Sequence, residues 1–455
     1  MELLTKDYRR PAAAGNQRRP ATVVDACRQT LAFLDRSQWW SGDRLRDFQF
    51  RLLRPLLVHA FETVPCYRKR FEEAGLTPAE VTPENWLRVP ILTRDSLQAE
   101  PPLSQRPPQA HGRLYSTETS GATGQPVKVV CTGHSQFFFK TLGVRDHLWH
   151  RRDLTRTHAT IRHYPGKEIP PEGITVPQWC EIGGPILGRG PLTTISILNP
   201  IGHQLQWLER VNPAYLLTYP SNLKALIERS VETGSRLPAL REVRTISETV
   251  TPELRALCRE SWGVPLHDIY SSQELGYMAL QCPEHDHYHV QSESVLLEVL
   301  DDAGRPCRPG EIGRVVVTAL RNYAMPLIRY QIRDYAEAGE PCPCGRGLPT
   351  VRRFVGRQRN MLIMPSGEQR WPVFSWPRYK EVAAIRQFQF TQHSVDTIEM
   401  RLVSDRPLTD DQKERLTAII HSSLGHSFNL VMTRVDEIPQ GKNGKFEEFV
   451  SLIAG

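Results

Sequence analysis

From about residue 110 the chain alternates short β-rich runs with helical patterns, and this alternation constrains the fold more than any other feature. The β-rich runs include "VKVV", "EVRTIS", "SVLLEVL" and "GRVVVTAL", and the helical patterns include "PSNLKALIERSVETG" and "TPELRALCRESWG". Strands that alternate with helices predict an α/β fold, in which helices flank a sheet. The chain has 455 residues, enough for roughly two to four domains.

The two ends of the chain have a different texture. The early stretch "DRLRDFQFRLLRPLLVHAFETVPCYRKRFEEAGL" has apolar residues at near-helical spacing until Pro65 and Gly75 interrupt it, which predicts a helical arm over about 1–105. After "VGRQRNMLIMPSGEQRWP" the last hundred residues read as a compact α+β unit that includes the amphipathic helix "TDDQKERLTAIIHSSLG". We therefore expect a large N-terminal domain with mixed sheets over 1–355 and a small α+β C-terminal domain over 356–455.

Composition excludes several classes of protein. Apolar residues make up 40% of the chain, and 57 Lys and Arg against 50 Asp and Glu give a net charge of +7 with no basic tract. This balance favours a globular protein that acts on small anions and argues against a nucleic-acid partner. The N-terminus has no apolar signal region, and no stretch approaches the roughly 18 apolar residues of a membrane span. Together with nine scattered cysteines, this predicts a cytoplasmic protein without membrane insertion.

The stretch "STETSGATGQPVKVV", residues 116–130, combines hydroxyl residues and glycines before an apolar run. Glycines let a backbone approach a ligand closely with its N–H groups turned inward, and hydroxyls add donors, so phosphate oxygens are a natural ligand. An ordinary hairpin loop is the alternative, because a short Gly/Ser/Thr cluster between strands is common turn chemistry.

Motifs farther along the chain favour the phosphate ligand. They are "DIYSSQELG" at 268–276, "PLIRYQIRD" at 326–334, "VGR" at 355–357 and "GKF" at 444–446. Their order resembles that of the adenylate-forming superfamily. Within it the chain is similar to the phenylacetate–CoA ligase branch, which includes capsular-polysaccharide-biosynthesis-type relatives. The stretches "ETVPCYRKRFEEAGLTP", "LRVPILTRDSL", "AMPLIRYQIRDYAE" and "CPCGRGLPTVRRFVGR" carry that similarity, which extends from about residue 45 over nearly the whole chain.

The resemblance implies a nucleotide site. It assigns the phosphates of ATP to the loop, the adenine and α-phosphate to the "YSSQE" turn, and the ribose to the late Asp and Arg. The implied nucleotide-binding residues are Thr119, Ser120, Gly121, Ala122, Thr123, Gly124, Glu248, Tyr270, Ser271, Asp334 and Arg357. Glu274 is expected to hold Mg²⁺ through hard carboxylate oxygens. Lys445 is expected to be catalytic, because its ammonium would offset the charge that develops at the α-phosphate.

Several positions depart from the family pattern or have a competitor. Gln125 stands where the family often has Lys, so a positive charge is missing beside the triphosphate. Gln273 stands for Thr, which weakens the α-phosphate contact. Lys442 competes with Lys445 for the catalytic role. Glu248 serves equally well as a carboxylate at a helix N-terminus.

A second cluster predicts a metal site. "CPEHDHYH" offers Cys282, His285, His287 and His289, and "CPCG" offers Cys342 and Cys344. Thiolates with imidazole suit tetrahedral Zn²⁺. We expect structural zinc on Cys282, His289, Cys342 and Cys344, with His285 as the substitute for His289. Free thiols beside a solvated turn are the alternative.

The resemblance implies a reaction in two steps. A carboxylic acid, for which an aromatic acid is one candidate, attacks ATP to give acyl-AMP and pyrophosphate, and coenzyme A then takes the acyl group as a thioester. An amine or a carrier-protein thiol is an alternative acceptor, and a nucleotide-binding module without catalysis is a further alternative. Residues 160–200 are expected to contribute to the acyl pocket. Rotation of the C-terminal domain about Arg359 is expected to alternate the two steps.

Overall fold

The computed structural model describes residues 22–118, 127–164, 166–180, 182–357, 360–372, 374, 376–439 and 446–453. In these residues no helix is both long enough and apolar enough to cross a membrane. All nine cysteines are free thiols. The helices are α1 Val23–Ser37, α2 Gly42–Thr63, α3 Pro65–Glu73, α4 Arg94–Ala99, α5 Gly133–Trp149, α6 Gly184–Leu187, α7 Ile201–Val211, α8 Pro220–Thr233, α9 Pro252–Trp262, α10 Trp376–Val382 and α11 Asp410–Leu424.

The described residues of the predicted helical arm include helices α1 to α4. Helix α2 begins after Ser41, whose side chain accepts from the Arg44 N–H, and α3 begins with Pro65, which suits the first turn because that position needs no donor. The apolar face of α2 includes Leu53 and Leu57, both fully buried. Burial of one such side chain contributes about 1.5–3 kcal/mol, so packing holds the arm against the sheet.

A sheet of twelve strands forms the body of the molecule. Its strand order is β11-β12-β13-β14-β10-β9-β8-β7-β6-β3-β5-β4. The run β8-β7-β6-β3-β5 is parallel, and the other neighbouring strands pair antiparallel. The strands of this sheet are β3 His158–Arg162, β4 Ile174–Val176, β5 Leu192–Ser196, β6 Tyr215–Thr218, β7 Glu242–Ile246, β8 Leu266–Ser272, β9 Gly276–Gln281, β10 Tyr288–Val290, β11 Val295–Leu300, β12 Ile312–Ala319, β13 Tyr330–Ala338 and β14 Thr350–Arg357.

Helices follow each of the strands β5, β6 and β7, which confirms the predicted α/β alternation. Helix α9 is capped by Thr251, whose side chain accepts from the Leu254 N–H, and it ends at Gly263 in the left-handed region, where glycine is unstrained. A separate hairpin joins β1 Leu114–Glu118 to β2 Lys128–Thr132.

A four-stranded sheet near the C-terminus, with the order β19-β18-β17-β20, packs with α10 and α11 around its own core. Its strands are β17 Ile385–Gln392, β18 Thr397–Ser404, β19 Asn429–Arg434 and β20 Phe449–Ser451, and a short hairpin, β15 Leu362–Ile363 with β16 Gln369–Arg370, precedes it. The small α+β unit is thus as predicted. The large sheet extends two residues beyond the predicted boundary at 355, because Gly356 and Arg357 pair with β13.

Candidate active site

The carboxyl ends of the parallel strands form one edge, and several predicted site residues meet there. Glu248 follows β7, Tyr270 lies near the end of β8, and Tyr219 follows β6. In open α/β sheets, ligands bind outside the carboxyl ends of the strands. This edge is therefore the candidate active site.

Tyr270, Asp334 and Arg357 form one network, although they are far apart in sequence. The Tyr270 hydroxyl donates to Asp334 Oδ2 at 2.7 Å, and Arg357 Nε lies 3.6 Å from Asp334 Oδ1. Pairing of β13 with β14 places Asp334 directly opposite Arg357. Burial and the neighbouring Asp334 carboxylate raise the pKa of Tyr270, so its phenol keeps the proton that it donates. Phe354 stacks on the Tyr270 ring, with centroids 3.5 Å apart, and fixes its plane.

Glu274 lies in the turn after Tyr270 and is held by a residue that sequence reasoning missed. Arg94 Nη1, in the first turn of α4, lies 3.3 Å from Glu274 Oε1 and donates to the Tyr330 hydroxyl at 3.4 Å. Both charged side chains are largely buried. A cation therefore already faces the carboxylate that is predicted to hold Mg²⁺. In the sequence, the missing positive charge at Gln125 was the one indication that another residue supplies a cation at this site.

The predicted phosphate loop, from Thr119 to Gly124, and Gln125 lie outside the described residues. The ends of the loop are described, because β1 stops at Glu118 and pairs there with Lys128 of β2. Thr117 Oγ1 donates to Gln273 Oε1 at 3.4 Å. The hairpin therefore leads to the turn that carries Glu274. Ser271 lies opposite Tyr277 in the pairing of β8 with β9.

Glu248 joins the sheet edge to the C-terminal segment. Its Oε2 accepts from the Ser221 N–H at 2.8 Å, in the first turn of α8, and its Oε1 accepts from the Phe446 N–H at 3.0 Å. The carboxylate therefore does serve a helix N-terminus, but that of α8 and not that of the helix that follows it in sequence. Lys445, the residue before Phe446, and its competitor Lys442 lie outside the described residues.

The predicted hinge is described on both sides but not at its pivot, because Arg359 lies outside the described residues. Arg357 N donates to Asn360 Oδ1 at 3.2 Å, and Asn360 Nδ2 donates to the Phe449 carbonyl at 2.5 Å. Asn360 therefore connects the last strand of the large sheet to the C-terminal sheet.

Cys282, His289, Cys342 and Cys344 meet in one group, with all four donor atoms within 4.8 Å of one another. Cys282 follows β9, His289 lies in β10, and the other two lie in the loop between β13 and β14. Cys282 Sγ is 3.8 Å from Cys342 Sγ, and Cys344 Sγ is 3.4 Å from His289 Nε2. Tetrahedral zinc at its usual bond lengths gives S–S and S–N separations of about 3.8 and 3.6 Å. The donor set therefore fits zinc.

His285, the substitute histidine, is partly exposed and does not belong to this group. Burial and the nearby His287 lower the pKa of His289 to about 3, so its ring is neutral and can offer a lone pair. Burial alone would raise the pKa of the Cys344 thiol, but the Arg346 backbone N–H is among the hydrogen-bond donors that leave it lowered. Both effects favour the protonation states that a metal requires.

Comparisons with known proteins bear on the fold and on the relatives of this chain. A family profile described as the CapK C-terminal domain matches residues 375–451. The phenylacetate-coenzyme A ligase of Thermus thermophilus is 23% identical over 449 residues, which cover 90% of this chain and 97% of that protein. The corresponding ligase of Pseudomonas putida is 27% identical over 356 residues, covering 73% and 75%.

Among solved structures, the chain resembles 2-hydroxyisobutyryl-CoA ligase in the postadenylation state, in complex with 2-HIB-AMP. The TM-score is 0.74 at 18% identity, and the match covers 92% of this chain and 91% of that protein. This likeness shows a shared fold, with a large sheet body and a small C-terminal domain.

Proposed function

We propose that this chain activates a carboxylic acid with ATP, because it has the fold of the adenylate-forming ligases and resembles their phenylacetate–CoA ligase branch in sequence. The products of the first step are acyl-AMP and pyrophosphate, and coenzyme A takes the acyl group in the second. The observation that carries the proposal is that Tyr270, Asp334 and Arg357 meet at the sheet edge. At this edge Glu248 also accepts a hydrogen bond from the Phe446 backbone N–H.

The Tyr270 network suits a nucleoside. The Asp334 carboxylate can accept from both ribose hydroxyls, and such charge-assisted hydrogen bonds are about twice as strong as neutral ones. The Arg357 guanidinium lies beside it and would contact ribose or phosphate oxygens. When a nucleotide binds, its contacts would replace the present contacts between these side chains. The free-energy cost of breaking the present contacts would therefore be largely offset.

The phosphates of ATP are proposed to lie between the loop at 119–124 and the turn that carries Glu274. Two observations support this: the β1–β2 hairpin that bears the loop contacts Gln273, and Glu274 is a largely buried carboxylate. Glu274 would hold Mg²⁺, which offsets phosphate charge when bound. Arg94 would turn from Glu274 toward the phosphates and supply the cation that Gln125 does not.

Lys445 is proposed to act on the reacting centre from the loop that ends at Phe446. The hydrogen bond from Phe446 N to Glu248 Oε1 places the residue after Lys445 at the carboxyl edge, where the α-phosphate would lie. The ammonium would approach both the attacking carboxylate and the α-phosphate. Its positive charge would stabilise the negative charge that grows as the P–O bond to pyrophosphate breaks.

The cluster of three thiols and one imidazole is proposed to hold a structural zinc ion, which links its ligands when bound. Its loop also contacts the helical arm, because Arg346 Nε donates to Gln38 Oε1 at 2.9 Å and Gly347 N donates to the Gln38 carbonyl at 2.9 Å. A Cβ on Gly347 would overlap the Trp40 carbonyl, so the close approach needs glycine. The metal would thus hold β13 and β14, which carry Asp334 and Arg357, against the arm.

Exchange of labelled pyrophosphate into ATP, measured across a panel of carboxylic acids with Mg²⁺, tests the proposal. We expect exchange that depends on one class of acid, followed by consumption of coenzyme A when it is added. Absence of exchange with every acid would refute the proposed activity and favour a nucleotide-binding module. Exchange without consumption of coenzyme A would assign the second step to an amine or a carrier-protein thiol.

A further inference from the structure

Arg162 occupies the carboxyl edge beside the candidate active site and is not used by the proposed chemistry. It is the last residue of β3, which pairs with β6 in the parallel part of the sheet. Tyr219, just after β6, accepts a hydrogen bond from the His163 N–H at 3.3 Å. Arg162 therefore lies on the same edge as Glu248 and Tyr270, displaced across the sheet from them.

Phenol groups surround this guanidinium. Its Cζ lies 5.4 Å from the centroid of the Tyr164 ring, and Tyr219 and Tyr277 are its other electrostatic neighbours. Tyr277 lies opposite Ser271 in the pairing of β8 with β9, and its ring is 4.5 Å from that of Phe139 in α5. Aromatic walls thus extend from Arg162 to the turn that carries Tyr270.

No carboxylate pairs with Arg162 within the described residues, and its Nε is buried without a hydrogen-bond acceptor. Other buried arginines of this protein do have such partners. Arg145 lies 2.8 Å from Glu293, Arg244 lies 2.6 Å from Asp146, and Arg329 lies 3.1 Å from Glu298. A desolvated cation without a counter-ion is costly, so structures normally supply one.

The acidic groups nearest to this edge are engaged elsewhere. Glu248 accepts from Ser221 and Phe446, and Asp334 accepts from Tyr270. Among the described residues these carboxylates accept from other donors, which points to a ligand as the source of the anion for Arg162. Tyr164 and Tyr219 add phenol groups at the same place, which suits an oxyanion.

We propose that Arg162 binds a second anionic group of the acid substrate, remote from the carboxylate that is activated, so that the substrate is a dicarboxylic acid. Three strand intervals separate β3 from β8, which is about 14 Å at the backbone. We therefore place the anion that Arg162 binds away from the carboxylate that reacts at the α-phosphate beside Tyr270. A molecule with an anion at each end satisfies both positions. This inference rests on the proposed adenylation.

The test compares acids that differ only in the second carboxylate: butanoic with butanedioic, hexanoic with hexanedioic, and benzoic with benzene-1,4-dicarboxylic acid. Pyrophosphate exchange is measured for the wild type, Arg162→Met, Arg162→Lys and the control Arg229→Met, which changes an exposed arginine of α8. We expect the wild type to prefer a diacid by at least about 10-fold, since hydrogen bonds to charged groups contribute about 1.5–3 kcal/mol.

Arg162→Met should lower kcat/KM for that diacid by about 10–100-fold, because a factor of ten corresponds to 1.4 kcal/mol. The same substitution should change kcat/KM for the matching monoacid by no more than about threefold. Arg162→Lys should restore part of the loss in kcat/KM for the diacid. Preference for monoacids in the wild type, or equal losses on both members of a pair, would overturn the inference.

Thermal stabilisation of the protein by each acid in the presence of ATP gives a second readout that needs no catalysis. If no acid supports exchange but a diacid stabilises the wild type and not Arg162→Met, the proposed function fails and the anion site stands. If exchange occurs only with acids whose effect is insensitive to Arg162, the proposed function stands and the anion site fails.

Discussion

Replacement of Cys344 by Ser tests the proposed zinc site most sharply, because this thiol touches the imidazole of the group at 3.4 Å. Loss of a group that only orients a ligand lowers metal affinity about 10–100-fold. Loss of a ligand itself should therefore lower it by at least about 100-fold, which equals about 2.7 kcal/mol of metal-linked stability. The double change Cys342→Ser with Cys344→Ser should remove the metal altogether.

Loss of the metal should increase amide hydrogen exchange near the site, in addition to lowering the free energy of unfolding. The loop that carries Cys342 and Cys344 is bonded to Gln38, which also accepts from the Trp149 indole N–H at 2.9 Å. Amide hydrogen exchange should therefore accelerate around residues 37–45, 282–290 and 342–350. The C-terminal sheet has a separate core and should keep its protection.

The assays are metal analysis of the purified protein by mass spectrometry, urea unfolding and amide exchange. Wild-type protein should carry about one zinc per chain, as expected for one site with four donors. Cys307→Ser is the matched control, because Cys307 is partly exposed and lies outside the group. Zinc-free wild-type protein, or a Cys344→Ser variant with unaltered zinc content and unfolding, would refute the reasoning.

Four further predictions concern the reaction. Lys445→Ala should lower pyrophosphate exchange by at least about 100-fold, because it removes charge stabilisation in the transition state, and it should leave the thermal transition unchanged. Lys442→Ala should retain activity. The reverse result would shift the assignment to Lys442. Asp334→Ala should lower kcat/KM for ATP by about 10–100-fold through lost charge-assisted hydrogen bonds, measured by exchange at varied ATP. Arg94→Met should raise the KM for ATP about 10-fold, and an unchanged KM would separate Arg94 from the phosphates. Arg359→Pro should restrict φ at the pivot, leave exchange within a few-fold of wild type and slow acyl transfer in single-turnover assays; equal loss of both steps would withdraw the hinge assignment.

The buried charges around Asp146 make the stability of the protein depend on pH. Although burial opposes it, the Arg152 and Arg244 guanidinium groups lower the pKa of the Asp146 carboxyl, and Arg152 likewise lowers that of Glu242 to about 2. A carboxyl with a depressed pKa contributes stability above its unfolded value and loses it as pH falls toward the folded value. These groups therefore stabilise the sheet across the neutral range in which the activity is measured.

Sequence alone determined the parts of this protein that depend on local pattern and on residue type. Helices α2, α9 and α11 follow from apolar spacing with caps at their ends, and the cluster of Cys282, His289, Cys342 and Cys344 follows from the chemistry that zinc requires. The change of texture after "VGRQRNMLIMPSGEQRWP" also predicted a small C-terminal α+β domain. Each of these signals is contained in short stretches that can be read one at a time.

Tertiary structure alone decided which charged groups face one another. Arg94 meets Glu274 across 180 residues of sequence, and Glu248 meets the Phe446 backbone across 198. Arg162 has no carboxylate ion pair among the described residues, whereas Arg145, Arg244 and Arg329 each have one, and no local pattern records that difference. Spacing in sequence reports periodicity along one element, whereas a counter-ion is supplied by whichever element the fold brings alongside, so pairing and its absence are properties of the packed sheet.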